Sequence, residues 1–168
     1  KYTNVEKQIE LLIEKSVKDQ LISDVPVGCL LSGGIDSSLV SFYASKHSKK
    51  KLKTFSISVN DYQYNESQYS KIVSKKIQSK HYLKKFSAKD MIKSVKNVID
   101  VYSEPFADSS QLPTILLSKY ARSKVKVVLT GDGGDELFGG YNRYYKLNKI
   151  LKYSCFFPRS FTKFIFLN

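Results

Sequence analysis

Cysteine is scarce in this chain, and its scarcity excludes several kinds of protein. The 168 residues hold two, Cys29 and Cys155, too few for a disulfide framework and in no spacing that ligates a metal. Cys29 stands inside the apolar run 27–31 and is expected to be a small buried hydrophobe, because free cysteine is among the most buried residue types. No stretch approaches the roughly 20 apolar residues of a membrane span. The charged residues 1–10 offer no signal-peptide core. Internal repeats and low-complexity linkers are also missing. A reducing cytoplasm is the expected location, with no membrane partner.

Acidic residues are in short supply beside basic ones, 15 against 28, for a net charge of +13. A basic surface invites a nucleic-acid reading. The lysines, however, are scattered through polar faces and turns: Lys49 to Lys51, Lys75, Lys76, Lys84, Lys85, Lys93 and Lys96. A solvated surface accounts for them, and nucleic acid is not the expected partner. The length suffices for one domain with a real core, and 42% hydrophobic residues is ordinary for a globular chain.

What is present is an alternation of periods. Residues 5–22 place Val5, Ile9, Leu12, Ile13, Val17 and Leu21 at helical spacing, until Pro26 disfavours helix in the residue before it. Residues 27–31 read as a buried strand, and helical spacing resumes from Ile35 to about Lys46. A second strand is predicted at 52–59, a polar loop at 60–65, and a helix at 66–78 with Tyr69, Ile72, Val73 and Ile77 inward. A third strand follows at 81–86 and a helix at 88–101 with Met91, Val95, Val98 and Ile99 inward. After a turn-rich stretch at 103–110, a helix at 112–120 and a strand at 124–129 complete the series. Strands alternating with helices predict an α/β fold, a doubly wound parallel sheet with helices on both faces. Ligands bind such sheets beyond the carboxyl ends of the strands, at the switch in strand order.

Two glycine-rich loops follow strands directly, which predicts them at one edge of the sheet. In the first, Ser32-Gly33-Gly34-Ile35-Asp36-Ser37-Ser38, glycines let backbone N–H groups curl around an anion at a helix start. The serines add hydroxyl donors. Asp36 has the wrong sign for phosphate unless a divalent cation lies between them, which points to magnesium-bound pyrophosphate. The plainer alternative is a turn whose Asp36 caps the next helix. The second loop, Thr130-Gly131-Asp132-Gly133-Gly134-Asp135-Glu136, crowds three carboxylates that repel one another unless a cation relieves them. Its plainer alternative is a turn and cap for the helix from Leu137.

Together the motifs SGGIDSS and TGDGGDELFGGY resemble the synthetase domain of glutamine-dependent asparagine synthetases and their amidotransferase relatives. The resemblance runs from VPVGCLLSGGIDSSLV through KTFSISV and EPFADSSQLPT to Tyr141-Asn142-Arg143-Tyr144. It implies an adenine nucleotide alpha hydrolase-like ATP-pyrophosphatase fold over residues 1–150, with ATP and Mg²⁺ as cofactors. Ser32, Gly33, Gly34, Ser37 and Ser38 would hold the pyrophosphate, and Asp36 and Asp135 match the family's magnesium ligands. Leu30 and Ile57 match apolar positions that sandwich adenine, while Thr130 and Gly131 would contact the nucleotide. Asp132 occupies the place of a family glutamate linked to forming the acyl-adenylate, and is one methylene shorter. The implied reaction is amidation of aspartate, or of a similar carboxylate, with ammonia supplied by a glutaminase domain. A homodimer is an assembly open to the full-length protein.

Some features depart from that pattern. The chain begins at Lys1 without the N-terminal nucleophilic cysteine of the family's glutaminase domain, so that domain is expected to be absent from this chain. The segment EPFADSSQLP lacks the arginine associated with aspartate recognition and resembles paralogues found with surface-polysaccharide enzymes. Phe156, Phe157, Phe161, Phe164 and Phe166 crowd residues 151–168; left exposed they would be an aggregation hazard, so the chain is expected to be part of a longer protein. An RNA-modifying ATP-pyrophosphatase fits the charge but not GDGGDE or the lack of Cys-x-x-Cys, and a non-catalytic fragment is the third reading. His81 is expected to be structural. Tyr141, Tyr144 and Tyr145 are expected to pack in a core or between domains.

Overall fold

The structure is a computed structural model that describes residues 2–59, 67–104, 107–108 and 110–154. The polar loop at 60–65, Cys155 and the phenylalanine-rich tail lie outside them. Four parallel strands, β1 (Val27–Leu30), β2 (Lys53–Val59), β3 (Lys80–Phe86) and β4 (Val127–Leu129), form one sheet in the order β3-β2-β1-β4. Between them run α1 (Tyr2–Gln20), α2 (Ile35–His47), α3 (Ser67–Lys76), α4 (Ala88–Ser94), α5 (Lys96–Val101) and α6 (Gln111–Arg122). After β4 come α7 (Gly134–Phe138) and α8 (Asn142–Ser154). The chain divides into two compact units, one ending at Gly131 and one starting at Asp132, and the whole sheet belongs to the first.

Successive strand residues face opposite sides of a sheet, and the two cores follow this alternation. Cys29 packs with Val17, Tyr43, Ala44 and Leu52, backed by Ile13, Leu39 and Ile77, so α1, α2 and α3 cover one face. Phe55 packs with Ala121 and Val125, backed by Leu30, Leu117 and Val128, so α6 covers the other. The sheet is doubly wound, as the alternation predicts. Phe55 is fully buried, stacked on Tyr82 at 5.3 Å and edge-on to Tyr120 at 6.1 Å. Its burial contributes about 1.5–3 kcal/mol. Burial likewise pushes the Cys29 thiol up to about 12, which leaves it unreactive at neutral pH. Across α1 and α2, Lys46 and His47 meet the Glu14 carboxylate at 2.8 and 2.7 Å and hold it below its ordinary value.

Several predicted faces shift. On α3, Tyr69 and Ile72 are exposed, while the buried residues are Ser67, Ser70 and Ser74. The start of this helix abuts the first loop, with Tyr69 Cβ and the Ser70 nitrogen beside Gly33, and Ser74 accepts the Ser79 hydroxyl. The helix expected at 88–101 breaks at Val95, where N–H groups bond three residues back (Val95 to Ile92, Val98 to Val95). That tightening changes the helical phase, and Val95 and Ile99 emerge as exposed. Strand β4 starts at Val127 rather than 124, because Lys124 and Val125 donate to the Ala121 carbonyl and finish α6. Tyr145 is 67% exposed, contrary to the packing expected of it.

The lysines singled out in the sequence are all exposed. Lys80, Lys84 and Lys85 line β3, an edge strand, where charge discourages pairing with another chain.

His81 occupies a structural place, as expected. Its Nδ1 lies 3.0 Å from the Thr54 hydroxyl, which lies 2.9 Å from that of Ser79, whose own hydroxyl donates to Ser74 at 2.9 Å. This polar chain ties β2 and β3 to α3. Burial first, and the charge of Lys71 second, push the His81 pKa below its ordinary value. The unfolded chain therefore takes up the proton first as pH falls. Stability is expected to be level above about pH 6.5, the ordinary histidine value, and to decline below it. His81→Asn, which keeps a side-chain partner for Thr54, is expected to flatten that decline. Urea midpoints between pH 7.5 and 5 are the check, and an unchanged slope in the variant would contradict it.

Candidate active site

Strand order turns around between β1 and β4: β1 connects to β2 on one side and has β4 on the other. The loop leaving β1 is built by its own hydroxyls. Ser32 Oγ accepts the Gly34 N–H at 3.1 Å and lies 2.9 Å from Ser37 Oγ, which also donates to the Gly34 carbonyl at 3.2 Å. The middle of β2 anchors it, with Leu31 N–H donating to the Phe55 carbonyl at 2.8 Å and the buried Ser56 hydroxyl donating to the Leu31 carbonyl.

Gly33 has φ +97°, and an added Cβ would sit 2.5 Å from Tyr69 Cβ and 2.6 Å from Ser70 N. Only glycine fits that backbone and that gap. Helix α2 begins at Ile35 with Gly34 as its N-cap and no side-chain cap bond. Asp36 is thus in the first turn and does not cap it, which removes the plainer reading of that carboxylate. The Ser38 hydroxyl is buried without a hydrogen-bond partner.

The loop leaving β4 closes on the same turn. A Cβ on Gly131 would meet Ser37 N at 2.7 Å and Asp36 Cβ at 3.0 Å, so the chain at Thr130–Gly131 runs against the start of α2. Leu30 and Phe55 are register partners and share a face. Ile57, two residues on, shares it too, and both Leu30 and Ile57 are half-buried. The first unit therefore brings together Leu30, Ser32, Gly33, Gly34, Asp36, Ser37, Ser38, Ile57, Thr130 and Gly131.

Asp132 and Asp135 belong to the second unit. There α7 opens on Gly133, φ +90°, with no side-chain cap bond. Its neighbouring carboxylates part company, because adjacent helical residues do not face each other. Glu136 accepts the Tyr141 hydroxyl at 2.6 Å, which holds the glutamate low and pushes Tyr141 up to about 12. Arg143 lies over the Tyr141 ring at 4.3 Å. Among the described residues no three His, Cys, Asp or Glu side chains gather as a metal-binding group, so the three carboxylates of this loop do not form one donor set.

The family model for asparagine synthase matches residues 8–160. The chain belongs to the asparagine synthase family. A Methanocaldococcus jannaschii protein carrying the provisional name of a second glutamine-hydrolysing asparagine synthetase is 41% identical over 145 residues. The match covers 84% of this chain and 28% of that protein. Glutamine-hydrolysing asparagine synthetase 1 of Bacillus subtilis is 36% identical, over 82% of this chain and 22% of its own length. The chain thus spans about a quarter of these asparagine synthase relatives. The NH3-dependent NAD synthetase of Campylobacter jejuni, solved with a nitrate ion, superposes with TM-score 0.54 at 16% identity, covering 81% of this chain and 60% of that one. That likeness extends to the fold, an α/β parallel sheet of the adenine nucleotide alpha hydrolase-like type.

The residues present suit the groups that the family implies. A buried unpartnered hydroxyl at Ser38, an uncapped α2 and a glycine cradle fit a phosphate chain. Neither Asp36 nor Asp135 forms an ion pair among the described residues. Magnesium takes one or two protein carboxylates and fills its shell with phosphates and water, a demand that single carboxylates meet. Sequence reasoning missed Ser56, Ser70 and the Tyr141–Glu136 pair. The spacing of Ser67, Ser70 and Ser74 was the signal for a closely packed helix face, and it was masked by the apolar residues beside it.

Proposed function

We propose that this chain carries the ATP-using part of an enzyme that converts a carboxylate, most simply aspartate, to its amide. The observation that carries the reading is the packing of Thr130–Gly131 against Asp36–Ser37 at the β1/β4 switch, in a chain of the asparagine synthase family. A carboxylate is a poor electrophile. Its oxygen attacks the α-phosphorus of ATP and the bond to pyrophosphate breaks, leaving an acyl-adenylate. Ammonia then attacks the acyl carbon, loses a proton, and AMP departs.

In this reading the turn at Gly33 and Gly34 and the hydroxyls of Ser32, Ser37 and Ser38 hold the leaving pyrophosphate, so positioning and charge stabilisation supply most of the catalysis. Leu30 and Ile57 take the adenine, Thr130 and Gly131 contact the nucleotide, and Asp132 supports acyl-adenylate formation. Asp36 and Asp135 would hold Mg²⁺, which when bound neutralises charge on the pyrophosphate. Ammonia from a glutaminase domain, a homodimer and a cytoplasmic setting complete the proposal. No described helix is long and apolar enough to cross a membrane.

ATP–pyrophosphate exchange with Mg²⁺ tests this, on the full-length protein and on this chain, across a panel of acids. Aspartate-dependent exchange is the expected result. Exchange with a different acid would keep the chemistry and change the acceptor, the outcome favoured if the missing arginine in EPFADSSQLP matters. No exchange with any acid in the full-length protein would overturn the reading.

A further inference from the structure

The motif GDGGDELFGGY holds five glycines, and the four that lie in the second unit do not serve one purpose. Gly133 and Gly139 have φ of +90° and +68°, and a Cβ on either would meet nothing within 4 Å. Both are there for the backbone. Gly140 is the reverse. Its φ lies outside the left-handed region, so an ordinary residue could adopt its conformation. A Cβ built on it, however, overlaps Oδ1 of Asp135 and comes within 3.0 Å of Asp135 Cγ and 3.3 Å of its Cα. Within 4 Å, nothing but Asp135 is among the nearest atoms that Cβ would meet.

The turn that brings Gly140 there is firmly tied. The N–H groups of Gly139 and Gly140 both donate to the Asp135 carbonyl, the latter at 3.0 Å. The next residue, Tyr141, donates its hydroxyl to Glu136, so the strand of chain at 139–141 folds back over both carboxylates of α7. It binds one of them and leaves room for the other.

We propose that Gly140 is a positioning residue: the missing side chain keeps open the space that the Asp135 carboxylate occupies, while Tyr141 tethers Glu136 and so leaves Asp135 as the carboxylate presented to a divalent cation. The proposal rests on the reading of Asp135 as a magnesium ligand. Alanine at 140 would drive the carboxylate to another rotamer without altering its charge.

Mn²⁺ serves as the probe, titrated against the chain with ATP and followed by loss of the free-ion paramagnetic signal, alongside thermal melting, for wild type, G140A, D135A and the double variant. Gly140→Ala is expected to weaken Mn²⁺ binding about tenfold or more, the usual range when a ligand loses its support, and to lower the melting temperature. In the D135A background the same alanine is expected to leave Mn²⁺ binding unchanged and to lower the melting temperature by less than it does in wild type, since the carboxylate it displaces is gone and only the contact with the Cα of residue 135 remains. Wild-type Mn²⁺ binding by G140A with loss in D135A would overturn the positioning role and leave the ligand assignment intact. Unimpaired Mn²⁺ binding by D135A would overturn the ligand assignment and this proposal with it. If G140A alone does not fold, a folded double variant supports the clash with Asp135, and an unfolded one refutes it.

Discussion

Gly33→Ala is expected to destabilise the chain by about 2–5 kcal/mol. Two costs combine: about 1–2 kcal/mol for placing an L-residue in left-handed backbone and about 1–3 kcal/mol for forcing atoms into a filled space. The space is filled by Tyr69 Cβ and the Ser70 backbone nitrogen, which cannot rotate away as a side-chain tip would. A loss of this size lowers a melting temperature by about 4–20 °C in a domain of this length. Gly34→Ala makes the control. Gly34 has φ −68° and its Cβ would meet only the Ser32 hydroxyl, at 3.3 Å, so its stability cost is expected to stay within about 1 kcal/mol. Melting both variants decides the matter, and equal losses would mean that the gap beneath Gly33 is not what constrains the loop.

Asp36→Asn is expected to reduce Mg²⁺-dependent turnover of the full-length protein by about a hundredfold or more, because several kcal/mol of charge stabilisation disappear with the carboxylate. The fold is expected to survive. A carboxylate in the first turn of a helix stabilises it by about 0.3–1 kcal/mol, and Asp36 forms no ion pair among the described residues whose loss would add to that. The change is therefore large in rate and small in stability. Exchange assays beside urea midpoints separate the two, and normal turnover in the variant would remove Asp36 from the metal.

Much of the architecture was legible because hydrophobic period is a direct record of burial. The run around Cys29, the alternation in KTFSISV and the helical spacing of α1 and α2 each placed an element within a few residues of its observed bounds. Where period misled, a tertiary contact had overruled it. On α3 the apolar residues Tyr69 and Ile72 turn outward while Ser67, Ser70 and Ser74 are buried, Ser74 within the hydroxyl chain that runs through Ser79 and Thr54 to His81. At Val95 two three-residue turns break an apparently continuous helix.

The loops divide in the same way. Sequence alone determined that two glycine-rich, carboxylate-bearing loops follow strands, since glycine and aspartate at those spacings carry their own local chemistry. Strand order, by contrast, is set by which faces can be buried together, and no local pattern records that β4 joins the sheet beside β1 rather than beside β3. Only the tertiary structure decided that Gly131 lies against Asp36 and Ser37, that Ser56 anchors the first loop, and that Glu136 is bound to Tyr141 while Asp135 shares its space with Gly140. Sequence marks several of these residues but not their partners, because a missing Cβ or a strand serine acquires its role only from what packs against it.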